Sequence, residues 1–301
     1  MKRKGPGERK ITHFFKGIGI SLGQLQPIAQ CRGAHRRISI FLHPELGRVF
    51  LLGREIQHVE AWAPLYHEPL VHLPASFVPE VRDVAILGGG TLYAASEALK
   101  YRSVERVVVV DHDPLVARTV ARYYPHAKKC FTDPRFSLVQ GDAYTTLPRL
   151  GCKFDLVIND GADLLEVSRE PSSQARRADH FSAMKLALHS GGVCADVVYR
   201  HVFERTRTTR TLKLLARRGR VALSLVFLPE YHGVLHTLFM WGRASSRVSQ
   251  NSNRPANREQ EGWLQTPSCS PCGYYDPRFL PYYFYLPRYI RKALGLRRKV
   301  A

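Results

Sequence analysis

Between Val84 and Asp113 the hydrophobic positions change period twice. Val84–Leu87 is an unbroken apolar run that ends in Gly88, Gly89 and Gly90. Leu92, Ala95, Ala98 and Leu99 then recur at helical spacing, and Val107–Val110 is a second apolar run closed by Asp111. The pattern predicts strand, glycine turn, helix, strand and acid, the first βαβ unit of a nucleotide-binding α/β sheet. Glycines at such a turn let the backbone approach a ligand because no Cβ intervenes. An acid at the second strand tip can accept hydrogen bonds from two ribose hydroxyls. A dinucleotide fingerprint needs a further glycine where Tyr93 stands, which favours an adenosine–sulfonium ligand over a dinucleotide.

The flanking patterns extend this unit in both directions. Residues 1–34 are basic and without clear period, and are expected to be poorly ordered. Ile38, Ile40 and Leu42 alternate as in a strand, a turn follows at 43–47, and Val49 to Ile56 reads as the returning strand. With Tyr66-His67-Glu68 and the apolar 70–73, this predicts a small antiparallel β-domain over 35–75. A Rossmann-like domain is then expected over 76–301. A helix over 114–124 is opened by Asp113 as cap and Pro114 at its first position. Strands are expected over 135–139, before Gly141-Asp142-Ala143, and over 154–158, before Asn159-Asp160-Gly161-Ala162-Asp163. A helix over 180–189 and a strand over 193–199 come next, then a very basic helix over about 205–218. Strands over 221–228 and 236–241 complete the series, and 245–262 reads as a disordered insertion. Five parallel strands followed by a terminal pair make the seven-stranded sheet of methyltransferase type. In such a sheet ligands sit at the carboxyl ends of the strands, where Asp111, Asp142, Asp160 and Asp163 all fall.

Composition narrows the class. The chain has 301 residues and is 45% hydrophobic, enough for a sizeable core. No apolar run approaches the ~20 residues of a membrane span, and no signal-peptide pattern opens the chain. Cys130, Cys152 and Cys194 fall in or near core elements, so a reducing, cytoplasmic setting is expected. Cys269 and Cys272 have C-x-x-C spacing without a second ligand pair, and read as free thiols rather than a metal site. The net charge is +20, with basic residues at both ends. Those ends would suit contact with polyanions, but no nucleic-acid module accompanies them, and solvated basic faces explain the charge first.

Taken together, the pieces resemble the spermidine synthase family of polyamine aminopropyltransferases. They are Gln57, Tyr66-His67-Glu68, Gly88-Gly89-Gly90, Asp111, Gly141-Asp142-Ala143, Asp160-Gly161-Ala162-Asp163, Pro229-Glu230-Tyr231 and Tyr274-Tyr275-Asp276-Pro277. Each is weak alone; their order and spacing are specific. The resemblance implies a homodimer that transfers an aminopropyl group from decarboxylated S-adenosylmethionine to a small amine acceptor, releasing methylthioadenosine. The donor would be a co-substrate, with no permanently bound cofactor and no metal. Asp160 would be the base, and Asp163 would hold an ammonium of the acceptor. Tyr66 and Tyr231 would face the amine. Asp111 would bind the ribose, Asp142 with Ala143 the adenine, and Gln57, His67, Gly88, Gly89, Gly90 and Thr91 the rest of the donor.

The chain departs from the family at Gly53-Arg54, Trp62-Ala63, Leu164-Leu165-Glu166 and Leu280, and most tellingly at its glycine turn. Thr91 and Leu92 stand where the family's glycine turn continues with aspartate and glycine. The missing aspartate would grip the donor's ammonium, and Glu68 and Glu230, each beside a pocket tyrosine, are the acids that could replace it. The change also fits two other functions: a methyltransferase using intact S-adenosylmethionine, and a non-catalytic protein that kept only the nucleoside site.

Overall fold

Period-two alternation in the N-terminal region marks strands, and strands also form where it breaks. The computed structural model describes residues 9–15, 18–161, 173–198, 209, 221–231, 234–242 and 272–293. Its first sheet has five antiparallel strands in sequence order: β1 (Arg9–Phe15), β2 (Ile18–Arg32), β3 (Arg37–His43), β4 (Gly47–Leu52) and β5 (Glu55–Val59). Strands β1 and β2 correct the expectation of loose order over 1–34. Their signal is hidden because Gln24 adopts φ +56°, and the pairing of β1 with β2 slips there. Leu22 and Leu25, an odd spacing apart, are therefore both buried. The expected single strand over 49–56 is two, broken at Gly53 with φ +64°. Phe41 is buried opposite Ile38 and Ile40, so both faces of this sheet pack here, while Leu42 near the end of β3 is exposed. Ile38, Ile40 and Phe50 join the main core, whereas Phe41, Val49, Leu51, Ile56 and Val59 pack with Leu22 and Leu25.

Helix α1 (Ala63–Ala75) follows. Prolines 69 and 74 disguise it in the sequence, yet almost every side chain along it is buried. It packs on the helix after the glycine turn and on strands of the second sheet.

The second sheet holds β6 (Asp83–Gly88), β7 (Arg106–Asp111), β8 (Phe136–Gln140), β9 (Phe154–Asp160), β10 (Leu188–Val198), β11 (Val221–Leu228) and β12 (Val234–Gly242). Its order is β11-β12-β10-β9-β6-β7-β8; the first five in sequence run parallel and β12 is antiparallel to both its neighbours. This is the expected methyltransferase-type sheet. The chain leaves β6 toward β8 on one side and returns to β9 on the other, so the crevice between β6 and β9 is the topological switch point. Helices α2 (Tyr93–Ala98), α3 (Pro114–Tyr123), α4 (Pro125–Thr132), α5 (Ala143–Thr146) and α6 (Ser173–Leu186) connect the strands. Asp113 caps α3 as expected, accepting from the backbone N–H of Leu115 at 3.2 Å. Helix α6 begins seven residues before the expected His180 and ends at Leu186, so β10 starts earlier than the expected Val193. The basic stretch 205–218 (Thr209 apart), the insertion 245–262, Ala162, Asp163 and Cys269 lie outside the described residues.

Candidate active site

The strand ends dictate where the acids stand. In the β6–β9 pairing Gly88 lies beside Asp160, and in the β7–β8 pairing Asp111 lies beside Gln140. The turn that follows β6 passes close to β9, and this is what requires glycine. Gly88 has φ +76° and a Cβ there would stand 2.6 Å from the Cα of Gly161; at Gly89, φ +73°, it would stand 2.8 Å from Asp160 Oδ2. Leu92 also adopts a left-handed conformation, φ +59°, which for a leucine costs ~1–2 kcal/mol. Its side chain is fully buried, worth ~1.5–3 kcal/mol, and that burial offsets the strain.

These ends open into a cavity of about 500 Å³. Gln57, Tyr66, His67, Gly88, Gly89, Gly90, Thr91, Asp111, Asp142, Ala143, Asp160 and Tyr231 all line it, so the structure brings together every described residue to which the resemblance gave a role. Asp163 lies outside the described residues. The cavity also takes in Phe50, Leu52 and Glu55 from the first sheet, His35 and Arg36 from its β2–β3 turn, and Glu230 beside Tyr231. Sequence reading missed the first-sheet residues, whose only signal was a strand pattern. It held Glu230 as a contingency.

Asp160 occupies the floor. Tyr66, from α1, donates its O–H to Asp160 Oδ1 at 3.0 Å, while Oδ2 has no hydrogen-bond partner. His67 Nε2 stands 3.9 Å from that oxygen, beyond hydrogen-bond reach. Burial pushes the Asp160 carboxyl up to about 7, against the Tyr66 bond that lowers it, with Asp111 adding a smaller upward push. His67 is driven down to about 4, chiefly by burial, so its imidazole is neutral near pH 7. Its Nδ1 is 2.9 Å from the carbonyl oxygen of Ala63, and its ring lies against Tyr66 and Tyr93 at 4.7 and 5.0 Å.

Asp111 is held differently. Its Oδ1 accepts the backbone N–H of Asp113 at 2.8 Å, which fixes the carboxylate at the end of β7. Burial is the main cause of its raised pKa, opposed by that backbone bond. Asp142, on the exposed rim, caps α5 by accepting the Thr145 N–H at 2.9 Å.

Glu68, third in the Tyr66-His67-Glu68 run, points away from the cavity. Its carboxylate accepts the backbone N–H groups of Gly273, Tyr274 and Tyr275 at 2.7, 2.7 and 2.6 Å. Nearby, His72, Glu97 and Cys272 are the one group of metal-ligating side chains gathered closely among the described residues. Their polar atoms answer one another. His72 is 3.0 Å from Glu97, 3.4 Å from the Cys272 sulfur and 2.8 Å from the Tyr101 hydroxyl. The Lys100 ammonium sits 2.6 Å from Glu97 and supplies the positive charge there.

Such a site can hold a nucleoside by its ribose and present a carboxylate of near-neutral pKa to a group above the β6–β9 crevice. Residues 63–251 match the spermine/spermidine synthase domain model. A polyamine aminopropyltransferase of Hamiltonella defensa subsp. Acyrthosiphon pisum (strain 5AT) is 26% identical over 94% of this chain and 96% of its own. Putrescine N-methyltransferase 2 of Nicotiana attenuata is 25% identical over 95% of this chain and 76% of its own. Among solved structures, a spermidine synthase from Thermotoga maritima superposes with a TM-score of 0.79 at 21% identity, covering 98% of this chain and 99% of that one. That likeness shows the fold. Among the described residues no helix is long and apolar enough to cross a membrane.

Proposed function

The chain belongs to the spermine/spermidine synthase family, and on that premise we propose that it transfers an aminopropyl group from decarboxylated S-adenosylmethionine to a small amine. The observation that carries this reading is Asp160: a buried carboxyl with one oxygen held by Tyr66, the other unpartnered, and a pKa of about 7. An alkylamine, with a pKa near that of lysine, about 10.4, arrives mostly protonated and cannot attack until the proton leaves. Asp160 takes that proton. The nitrogen lone pair then attacks the propyl carbon bonded to sulfur. The C–N bond forms as the C–S bond breaks, and its electron pair neutralises the sulfonium to give methylthioadenosine. The Tyr66 O–H holds Asp160 by Oδ1 and leaves Oδ2 unpartnered. Neutral His67 neither repels the sulfonium nor competes for the proton. Asp111 accepts from the ribose hydroxyls, Asp142 and Ala143 border the adenine, and Gln57 with the Gly88–Gly90 turn closes around the nucleoside. Tyr231, with Tyr66, walls the amine, and Asp163 binds an ammonium of the acceptor.

Thr91 favours a second reading. A neutral hydroxyl at the glycine turn does not repel the carboxylate of intact S-adenosylmethionine, and a relative named putrescine N-methyltransferase spans the chain. Incubation of the protein with 1,4-diaminobutane and either donor separates the two. Mass spectrometry should find methylthioadenosine with the decarboxylated donor. S-adenosylhomocysteine from the intact donor, with no methylthioadenosine, makes the protein a methyltransferase. Neither product overturns both.

A further inference from the structure

Six acids line the cavity: Glu55, Asp111, Asp113, Asp142, Asp160 and Glu230. Two of them, Asp160 and Glu230, keep a buried carboxylate oxygen without a hydrogen-bond partner. Glu55 pairs with Arg36 at 2.8 Å. Asp113 accepts the backbone N–H groups of Ala34 and Leu115 at 2.8 and 3.2 Å. Asp111, Asp142 and Asp160 are held as described, by Asp113, Thr145 and Tyr66. Glu230 takes a hydrogen bond from its own backbone N–H. It is 2% exposed, it sits on the turn after β11, and its Oε2 has no hydrogen-bond partner.

A buried carboxylate oxygen without a partner costs free energy unless a ligand completes it. The ligand must be positive or a strong donor. The turn's other cavity-lining residues are Leu228 and Tyr231, an apolar and an aromatic wall. A divalent metal ion demands several oxygens, and among the described residues no metal-ligating group gathers around Glu230. A single oxygen beside such walls suits an organic monocation, whose alkyl part packs while its N–H bonds the acid. Glu68, the other acid next to a pocket tyrosine, is unsuited because three backbone N–H groups already saturate it.

We infer that Glu230 is the anionic seat for an alkylammonium group of the substrate pair. The inference rests on the transferase reading above. That reading brings two such groups to the cavity: the ammonium on the propyl arm of the donor, and the second ammonium of a diamine acceptor. Burial, pushing the Glu230 carboxyl up to about 7, fits an acid that ionises fully only when a cation arrives.

Glu230→Gln keeps the shape and removes the charge. Calorimetry with methylthioadenosine, which has no ammonium, checks that the variant is folded and keeps its nucleoside site: its affinity should stay within twofold. The inference expects at least a tenfold loss in one of two other measurements. Weakened decarboxylated S-adenosylmethionine assigns Glu230 to the donor arm. A raised KM for 1,4-diaminobutane, with 1-aminobutane unaffected, assigns it to the acceptor. Loss in neither overturns the inference, as does an equal loss for methylthioadenosine, which would make Glu230 structural. If the wild type binds no nucleoside, the transferase reading fails separately. Glu230 is then judged by the affinity for 1,4-diaminobutane alone, which the variant must lower.

Discussion

At the Asp111 end of the cavity the protein holds its own acids; at the Asp160–Glu230 end it leaves them open. Backbone N–H groups fix Asp111, Asp113 and Asp142 before any ligand arrives. Asp160 Oδ2, Glu230 Oε2 and Thr91 Oγ1 are buried without partners. Under the proposed transfer the first end is thus prearranged for a neutral sugar and base, where geometry matters most. The second stores desolvated acidity, and both of its carboxyls sit near 7. The two ends should fail in different ways when altered.

The largest effect should come from Asp160→Asn. Turnover should drop ~10²–10⁴-fold, as for lost acid–base catalysis, while methylthioadenosine binds as before. Equal turnover in the variant removes Asp160 as the base. Acidity offers the next test. Burial raises the folded pKa of Asp160, and the ionised form is the active one, so kcat/KM should fall about tenfold per pH unit below about 7 and level off above it. A flat profile between pH 6 and 8 would mean that proton removal does not limit the reaction.

Asp111→Ala attacks the prearranged end. Charge-assisted hydrogen bonds of ~1.5–3 kcal/mol each are lost, so methylthioadenosine should bind at least ten times more weakly by calorimetry. Retained affinity would take the ribose away from Asp111. The smallest effect is expected at Thr91. Two charges near 4 Å interact by roughly 4 kcal/mol at an effective dielectric of 20, less with screening. Thr91→Asp should thus raise the ratio of Kd for intact over decarboxylated S-adenosylmethionine. No rise places Thr91 away from the donor's tail.

How much of this could be read from the chain follows from how local each signal is. The glycine turn, the capping Asp113 and the acids at strand tips depend on neighbours within a few positions, and the sheet and its crevice follow from them. Strand β2 was hidden because Gln24 shifts the alternation by one residue, and α1 because its prolines look like breakers. The roles of Glu68 and Glu230 could not be read at all. One acid is saturated by a turn more than two hundred positions away, and the other keeps a buried oxygen bare. Only three-dimensional placement separates them.

The grip of Glu68 on Gly273, Tyr274 and Tyr275 also sets an order of assembly. Those residues leave the ribosome after every described strand of both sheets, so α1, the helix that carries Tyr66 and His67, waits for them before its own buried carboxylate finds its hydrogen bonds. A chain stopped before residue 272 would keep the glycine turn and every strand of the sheet. It would also carry an unanswered carboxylate in the helix that positions the base, at a cost of roughly 3 kcal/mol or more.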